Sequence, residues 1–422
     1  MFAEQRIAHH QESGLLGVTT PNQKRPTRPA AARGLRALPA GVWVLGGVSM
    51  FMDMSSELVH SLLPVFMATV LGASMITIGL IEGVAEAAAA ITKVFSGAIS
   101  DYLGKRKWLA VLGYGLAAVT KPIFPLATTI GWVFTARFID RIGKGIRGAP
   151  RDALVADITP LELRGAAYGL RQSLDSIGAF IGPLLAIILM VLLANDIRAV
   201  LWLAVIPAFI AVALLMIGIR EPESSSAESA TRSRLTPSDV KRLPRRYWLI
   251  VVLGGVFTLA RFSEAFLVLR VQDVGLAISY VPVVLIVMNV VYAATAYPAG
   301  VASDRFGHRS LLIVGLIMLV LADLVLAAAS SPLPALTGAA LWGLHMGLTQ
   351  GLLAKLVADT SPADLRGTAF GIFNLISGGA LLLASVIAGV LWSVIGASAT
   401  FVAGAVFAVL ATLGLLSYPG KP

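Results

Sequence analysis

The stretch "GAISDYLGKRK" at 97–107 returns as "GVASDRFGHRS" at 300–310, 203 positions later (300 − 97). A second stretch repeats at nearly the same interval: "LVADITPLELRGAAYGL" at 154–170 comes back as "LVADTSPADLRGTAFGI" at 356–372, 202 positions on (356 − 154). Ser56–Glu57 reappears as Ser263–Glu264. An internal repeat read before anything else fixes the architecture, and here it divides the chain into two homologous halves.

The sequence around the repeats is apolar. It is 57% hydrophobic and 13% charged, with a mean hydropathy of +0.83, whereas soluble proteins carry about 25% charged residues. Apolar runs long enough to cross ~30 Å of hydrocarbon recur along the whole length. The fold class is an all-α membrane protein. Polar and Gly/Pro breaks delimit twelve spans, numbered here in chain order: 41–70, 75–99, 108–128, 130–156, 166–194 and 198–219, then 247–270, 279–302, 310–330, 334–358, 367–394 and 397–417. Residues 1–38 read as a disordered cytoplasmic tail without a signal peptide's apolar core. Residues 39–219 form one six-helix half and 247–418 the other. The Ser-rich, charged stretch between them, 220–246, reads as a cytoplasmic linker.

Cysteine is absent and the five histidines show no metal-ligand spacing, so no metal, cofactor or disulfide is expected. The net charge of +10 has a topological cause. Lys and Arg gather in the tail, at 104–107, at Arg164, in the linker and at Arg305, Arg309, Arg366 and Lys421, all on alternate connections. The positive-inside rule then places both termini in the cytoplasm of a cell-membrane protein. Nucleic acid is not an expected partner. The bilayer, a small-molecule substrate and protons are, and the fold needs no second copy, so a monomer is expected.

The repeated G-x-x-x-D-x-x-G-x-R after spans 2 and 8 resembles the signature loop of the major facilitator superfamily. The Ala-Asp, Pro and Arg-Gly positions after spans 4 and 10 are similar to that family's, and the likeness runs over roughly 40–418. Gly178-Ala-Phe-Ile-Gly182-Pro183 in span 5 resembles the motif of its drug/proton antiporters, departing from it at Leu184-Leu185-Ala186, where a glycine pair is usual. The resemblance implies that spans 1, 4, 7 and 10 line a central cavity, that 2, 5, 8 and 11 join the halves, and that 3, 6, 9 and 12 face lipid. Intramembrane charge faces protein or water, and the charge census agrees: spans 1, 2, 4, 5 and 7 carry ionisable residues in their interiors, while 6, with Arg198 at its very start, and 12 carry none there. Lys121 in span 3 and Asp323 in span 9 stand outside that pattern. The resemblance also makes Asp101, Arg106, Asp157 and Arg164, with Asp304, Arg309, Asp359 and Arg366, the residues of paired inner gates.

Span 4 reads "RFIDRIGKGIRGAPRDALVAD" at 137–157. At ~100° per residue, Arg137, Lys144, Arg147 and Arg151 fall within roughly 60° of Asp140. Such a stripe either faces a wet cavity, as a wall that attracts anions, or pairs with acids on spans 1, 2 and 5. Guanidinium forks onto carboxylate or phosphate, which makes Arg147 and Arg151 the leading direct contacts. Gly143, Gly145 and Gly148 predict close helix approach. The second half has Trp342, Met346, Thr349 and Leu353 in the matching places, so the stripe belongs to one half.

The acids are organised as well. Asp53, Glu57 and His60 share one face of span 1, Glu82 and Glu86 one face of span 2, and Arg171 and Asp175 one face of span 5. A buried carboxylate is charged only when a cation holds it so. Asp53, Glu57, Glu82, Glu86, Asp175 and Glu264 are therefore candidate proton carriers, with static salt-bridging the competing role. Arg171, Tyr292, His345, Gln350 and Asn374 complete the candidate substrate site, and Trp342 and Phe373 could shape its pocket. No nucleotide loop or nucleophile–base pair is present, and Gly-Lys-Gly at 143–145 lacks a P-loop's spacing, which excludes an enzyme. The residues point to a proton-coupled secondary transporter working by alternating access, exporting an organic anion, zwitterion or drug. An importer of an anionic metabolite or an exporter of lipophilic cations would use the same groups.

Overall fold

A computed structural model of the chain describes residues 37–103, 105–221, 240, 242–349, 352–362 and 365–417. Most of the tail predicted over 1–38 and of the linker predicted over 220–246 lies outside them, as does Gln350. Among the described residues every regular element is helical.

The twelve predicted spans correspond to helical stretches. Span 1 is Ala40–Val65, widening into a π turn at Phe66–Val70. Span 2 is Met75–Leu103, span 3 Arg106–Thr120 with a short Ile123–Leu126, span 4 Ile130–Asp157 and span 5 Arg164–Leu192. Span 6 comprises Ile197–Leu203 and Val205–Gly218; span 7 comprises Arg245–Leu259 and Ala265–Asp273. Spans 8, 9, 11 and 12 are Val283–Phe306, His308–Ala328, Arg366–Val394 and Ala397–Ser417, and span 10 comprises Pro332–Thr349 and Leu352–Thr360. Among the described residues, nine of these stretches are long and apolar enough to cross a membrane. The other three are spans 4, 7 and 10, which with span 1 are those expected around the cavity. Span 4 carries the charge stripe, span 7 is interrupted, and span 10 bears His345 and Trp342.

The helix pairings show the repeat in three dimensions. Span 4 packs on spans 2 and 3, span 1 on spans 5 and 6, and span 3 on span 6. The second half repeats each: 10 on 8 and 9, 7 on 11 and 12, and 9 on 12. The halves meet through span 2 against 11 and span 5 against 8, with the second segment of span 7 on span 1. Spans 3, 6, 9 and 12 expose large apolar residues such as Trp108, Ile206, Leu321 and Val406, a surface suited to lipid.

Small residues allow these approaches. A Cβ on Gly178 would overlap the Met50 carbonyl oxygen, and one on Gly182 would lie 2.7 Å from that of Met54. The glycines of the motif in span 5 therefore seat that helix on span 1. In span 4, Gly143 meets Gly113 and Gly145 meets Thr92 and Ala89. The expectation fails at Gly148, where a Cβ would meet nothing within 4 Å.

Short connections make successive spans antiparallel. One end of the bundle, here the near face, carries the start of span 1 and the connections at 103–106 and 157–164. The far face carries those at 70–75, 192–197, 273–283 and 394–397.

Candidate functional site

Span 7 provides the local feature that builds the site. Its helix stops at Leu259 and restarts at Ala265. In between, the Ser263 amide donates to Ser385 Oγ of span 11 at 3.2 Å, and Ser263 Oγ accepts from the Ala265 amide at 3.3 Å. A serine thus caps the second segment as an N-cap would, and the break places Arg261, Phe262, Ser263 and Glu264 together on the lining of a cavity. Ser56–Glu57, their repeat partners, lie in unbroken helix.

Between the halves lies a cavity of about 410 Å³. Glu57, His60, Glu86, Arg141 and Lys144 line it from the first half; Arg261 to Glu264, Asn289 and Trp342 line it from the second. Lys144 is exposed to it, and neither Lys144 nor Arg261 forms an ion pair with a carboxylate among the described residues. Arg261 lies over the Phe257 ring at 6.0 Å. Glu57 likewise forms no ion pair among the described residues. Glu264 Oε2 faces His60 Nε2 at 3.9 Å, which joins the halves across the cavity.

Behind this wall the rest of the span 4 stripe is taken up by acids. Lys121 Nζ donates to Asp140 Oδ1 at 2.9 Å and to Ser56 Oγ at 3.2 Å, and both members of the ion pair are buried. Arg137 Nη2 donates to Glu82 Oε2 at 2.7 Å and to His60 Nδ1 at 2.9 Å. An arginine cannot accept a hydrogen bond, so His60 Nδ1 accepts and the proton of a neutral ring is on Nε2, facing Glu264. Arg141 Nη1 lies 3.3 Å from Glu86. Arg147 lies 3.8 Å from Asp53 and stacks on Tyr114 at 4.9 Å. The Asp53 carboxyl in turn lies against that of Asp175. Arg151 meets Asp152 at 3.1 Å and Asp175 at 3.8 Å, and Arg171 meets Asp175 at 3.7 Å.

The expected substrate contacts are therefore redistributed. Arg137, Asp140, Arg147 and Arg151 are held in ion pairs behind the cavity wall, because every rung of the stripe except Lys144 finds an acid on span 1, 2 or 5 or a lysine on span 3. Arg171 is held by Asp175 and by Gln172 Oε1 at 2.7 Å. His345 is fully buried, its Nδ1 2.8 Å from the Gly315 carbonyl and its ring against Phe257, so packing is its role here. Tyr292 and Asn374 are half-buried and outside the cavity lining; Asn289, one turn from Tyr292, is in it. Of the candidate proton carriers, Glu57, Glu86 and Glu264 line the cavity, Glu82 is sealed against Arg137, and Asp53 and Asp175 adjoin. Arg261 and Asn289 stand out in the sequence among the few polar groups of the second half, Lys121 as an exception and Ser263 in the repeat, none with a site role assigned; Phe262 carries no signal.

At the near face Arg106 and Asp157 form an ion pair, Arg164 is half-buried, and Asp359 and Arg366 are exposed. Arg309 donates to the Leu416 carbonyl at 2.6 Å, the end of span 12. The side chains of Asp101 and Asp304 lie outside the described residues. The Arg106–Asp157 pair is partly wet, so Arg106→Ala should lower stability by less than ~1 kcal/mol in thermal unfolding. A larger loss would make the pair structural instead of a gate. Among the described residues, no three His, Asp or Glu gather to hold a metal.

A family model described as the Major Facilitator Superfamily matches residues 45–291 and again 265–422. An uncharacterized MFS-type transporter of Methanocaldococcus jannaschii is 32% identical over 389 residues, 90% of this chain and 95% of its own. The class H tetracycline resistance protein of Pasteurella multocida is 25% identical over 66% of this chain and 71% of its own. Among solved structures, the nucleoside transporter NupG matches with a TM-score of 0.77 at 12% identity, over 90% of this chain and 100% of that one.

Proposed function

The chain belongs to the major facilitator superfamily, and from that premise we propose that it is a proton-coupled exporter of a small molecule bearing both negative and positive charge. One observation carries the reading: Lys144 of the first half and Arg261 of the second both face the cavity with no carboxylate at ion-pair distance among the described residues, while Glu57 and Glu264 face it from the same two halves. An unpaired cation in a site of low dielectric is unfavourable, and an anionic group bound between Lys144 and Arg261 would offset that at both. Because the two cations belong to different halves, such a group also draws the halves together, which is what alternating access requires. An ammonium on the same molecule would suit Glu57 and Glu264.

Protons enter through the acids. Two carboxyls side by side cannot both stay charged without expense, so Asp53 and Asp175 can hold one proton between them, with Arg147, Arg151 and Arg171 setting its release. Export is favoured by the likeness to a tetracycline resistance protein and by the antiporter-like glycines of span 5. The placement of Lys and Arg supports a cytoplasmic near face.

The test is thermal unfolding of the detergent-purified protein with zwitterions, mono-anions and lipophilic cations, beside Lys144→Ala/Arg261→Ala. A ligand at 100 times its Kd stabilises the folded state by ~2.7 kcal/mol. We expect a zwitterion to raise the midpoint of the parent and to lose that effect in the double variant. Stabilisation by lipophilic cations alone, equal in both proteins, would replace this reading with a multidrug exporter. Proton-driven uptake into inverted and right-side-out vesicles then separates export from import.

A further inference from the structure

Asp323 is a buried acid outside the cavity. It lies on span 9, its side chain is fully buried, and neither carboxyl oxygen has a hydrogen-bond partner. Gly404 of span 12 and Phe262 of span 7 close around it: a Cβ built on Gly404 would lie 2.5 Å from Asp323 Oδ2 and 3.0 Å from Phe262 Cε1. Phe262 packs on Trp342 at 5.2 Å, and both rings line the cavity. Asp323 thus sits directly behind the aromatic wall of the central cavity.

The other half answers the same position differently. Lys121 precedes Asp323 by 202 positions (323 − 121), the interval of the repeat, and Asp140 precedes Trp342 by the same 202 (342 − 140). Where the first half joins a buried cation to a buried anion, the second sets a carboxyl beside aromatic rings with no counter-ion. Among the described residues the neighbouring elements supply none. Arg270 of span 7 is held by Asp273 and by the Leu326 and Ala329 carbonyls, and His345 of span 10 by the Gly315 carbonyl. Span 12 has no ionisable residue. Tyr292 is on span 8, half-buried. Arg261 and Glu264 flank Phe262 and face the cavity.

An ionised carboxylate with both oxygens bare in such a place is strongly disfavoured even after relaxation. The neutral acid leaves only the weaker demand of an unmet hydrogen bond. Phe262 lies in the non-helical break of span 7, so its ring can move without breaking a helical ladder. We propose that Asp323 is a proton-exchange site outside the central cavity, loaded as the neutral acid while Phe262 and Trp342 cover it. When the break shifts Phe262 aside, the O–H bond opens to cavity water and the proton leaves, and Arg261, carried by the same segment, moves with it to meet the carboxylate. The role in transport rests on the proton-coupled reading above; the presence of the proton does not.

Infrared spectroscopy of the purified full chain tests the presence. The parent should show the C=O band of a carboxylic acid without a hydrogen bond, displaced by carbon-13 aspartate labelling and absent from Asp323→Asn. In heavy water its deuterium shift should be slow in the parent and fast in Phe262→Ala. Asp323→Leu, which fills the site without a polar group, carries the comparison if the Asn variant does not fold. An unchanged acid region in both variants overturns the proposal. In vesicles Asp323→Asn should lose stimulation by a pH gradient while keeping the ligand-induced rise in unfolding midpoint. Stimulation equal to the parent's, with the band present, removes the role and leaves the proton. A band with no pH-driven transport in the parent counts against the exporter reading alone.

Discussion

Asp140→Ala is expected to abolish recovery of folded protein, and Lys121→Met/Asp140→Leu to restore it. Lys121 and Asp140 are exposed by only 1% and 4% of their side chains and lie 2.9 Å apart. Removing one member of such a pair strands the other, at a loss of about 3–5 kcal/mol, whereas replacing both by apolar groups of similar volume is often neutral or stabilising. Folded domains have only ~5–15 kcal/mol in total, so the single substitution uses most of the margin. Ser56 Oγ, at 3.2 Å from Nζ, would be the ammonium's remaining hydrogen-bond partner among the described residues, and a hydroxyl does not replace a charge. The measurement is the unfolding midpoint of the four proteins of the cycle in detergent. Single losses that add in the double variant would mean that the two residues do not interact, and with them the assignment of the span 4 stripe to the interior would fall.

That assignment marks the limit of what one sequence makes legible. The repeats at 97–107 and 300–310 gave the two halves, and the pairing of each span with its counterpart followed in three dimensions. The helical stripe of span 4 was visible too. What a single helical wheel cannot show is which rung faces an acid on a neighbouring helix. Arg147 and Arg151 rank above Lys144 on the chemistry of guanidinium, yet Asp53, Asp152 and Asp175 occupy them, and Lys144 is the rung left to the cavity. Lys121 stood outside the pattern because a span was treated as facing lipid all round; its inward face meets Asp140. The break in span 7 has no local signal, since Ala260-Arg-Phe-Ser-Glu264 contains neither proline nor glycine. Its cause is tertiary, through Ser385 of span 11, 122 residues away. The same break brings Arg261 into the cavity and Phe262 over Asp323, so the part of the site hardest to read from sequence lies in the half with fewer charges.

The second large effect concerns the seam between the halves. A Cβ on Gly79 of span 2 would overlap the Ser385 carbonyl oxygen of span 11, and one on Gly389 would overlap that of Met75. Both contacts lie toward the far face and both cross from one half to the other. Val at either position cannot be accommodated while the far ends touch, and the three atoms nearest its Cβ all belong to the other half, so the halves should fold and then part at that end. Each ~1.4 kcal/mol of clash is a tenfold change in population, and a shift from 1:99 to 99:1 needs about 5.5 kcal/mol, within reach of a methyl pressed into a carbonyl. The chain has no cysteine, so a single Ala179→Cys in the cavity lining reports access without background. Labelling by a membrane-impermeant thiol reagent from the far side should rise at least about tenfold with Gly79→Val or Gly389→Val. Gly178→Val supplies the contrast. It makes the same overlap with Met50, but inside the first half, so it should lower the unfolding midpoint and leave far-side labelling unchanged. If Gly79→Val behaves like Gly178→Val, the seam of spans 2 and 11 is a fixed interface, and the halves do not separate there during transport.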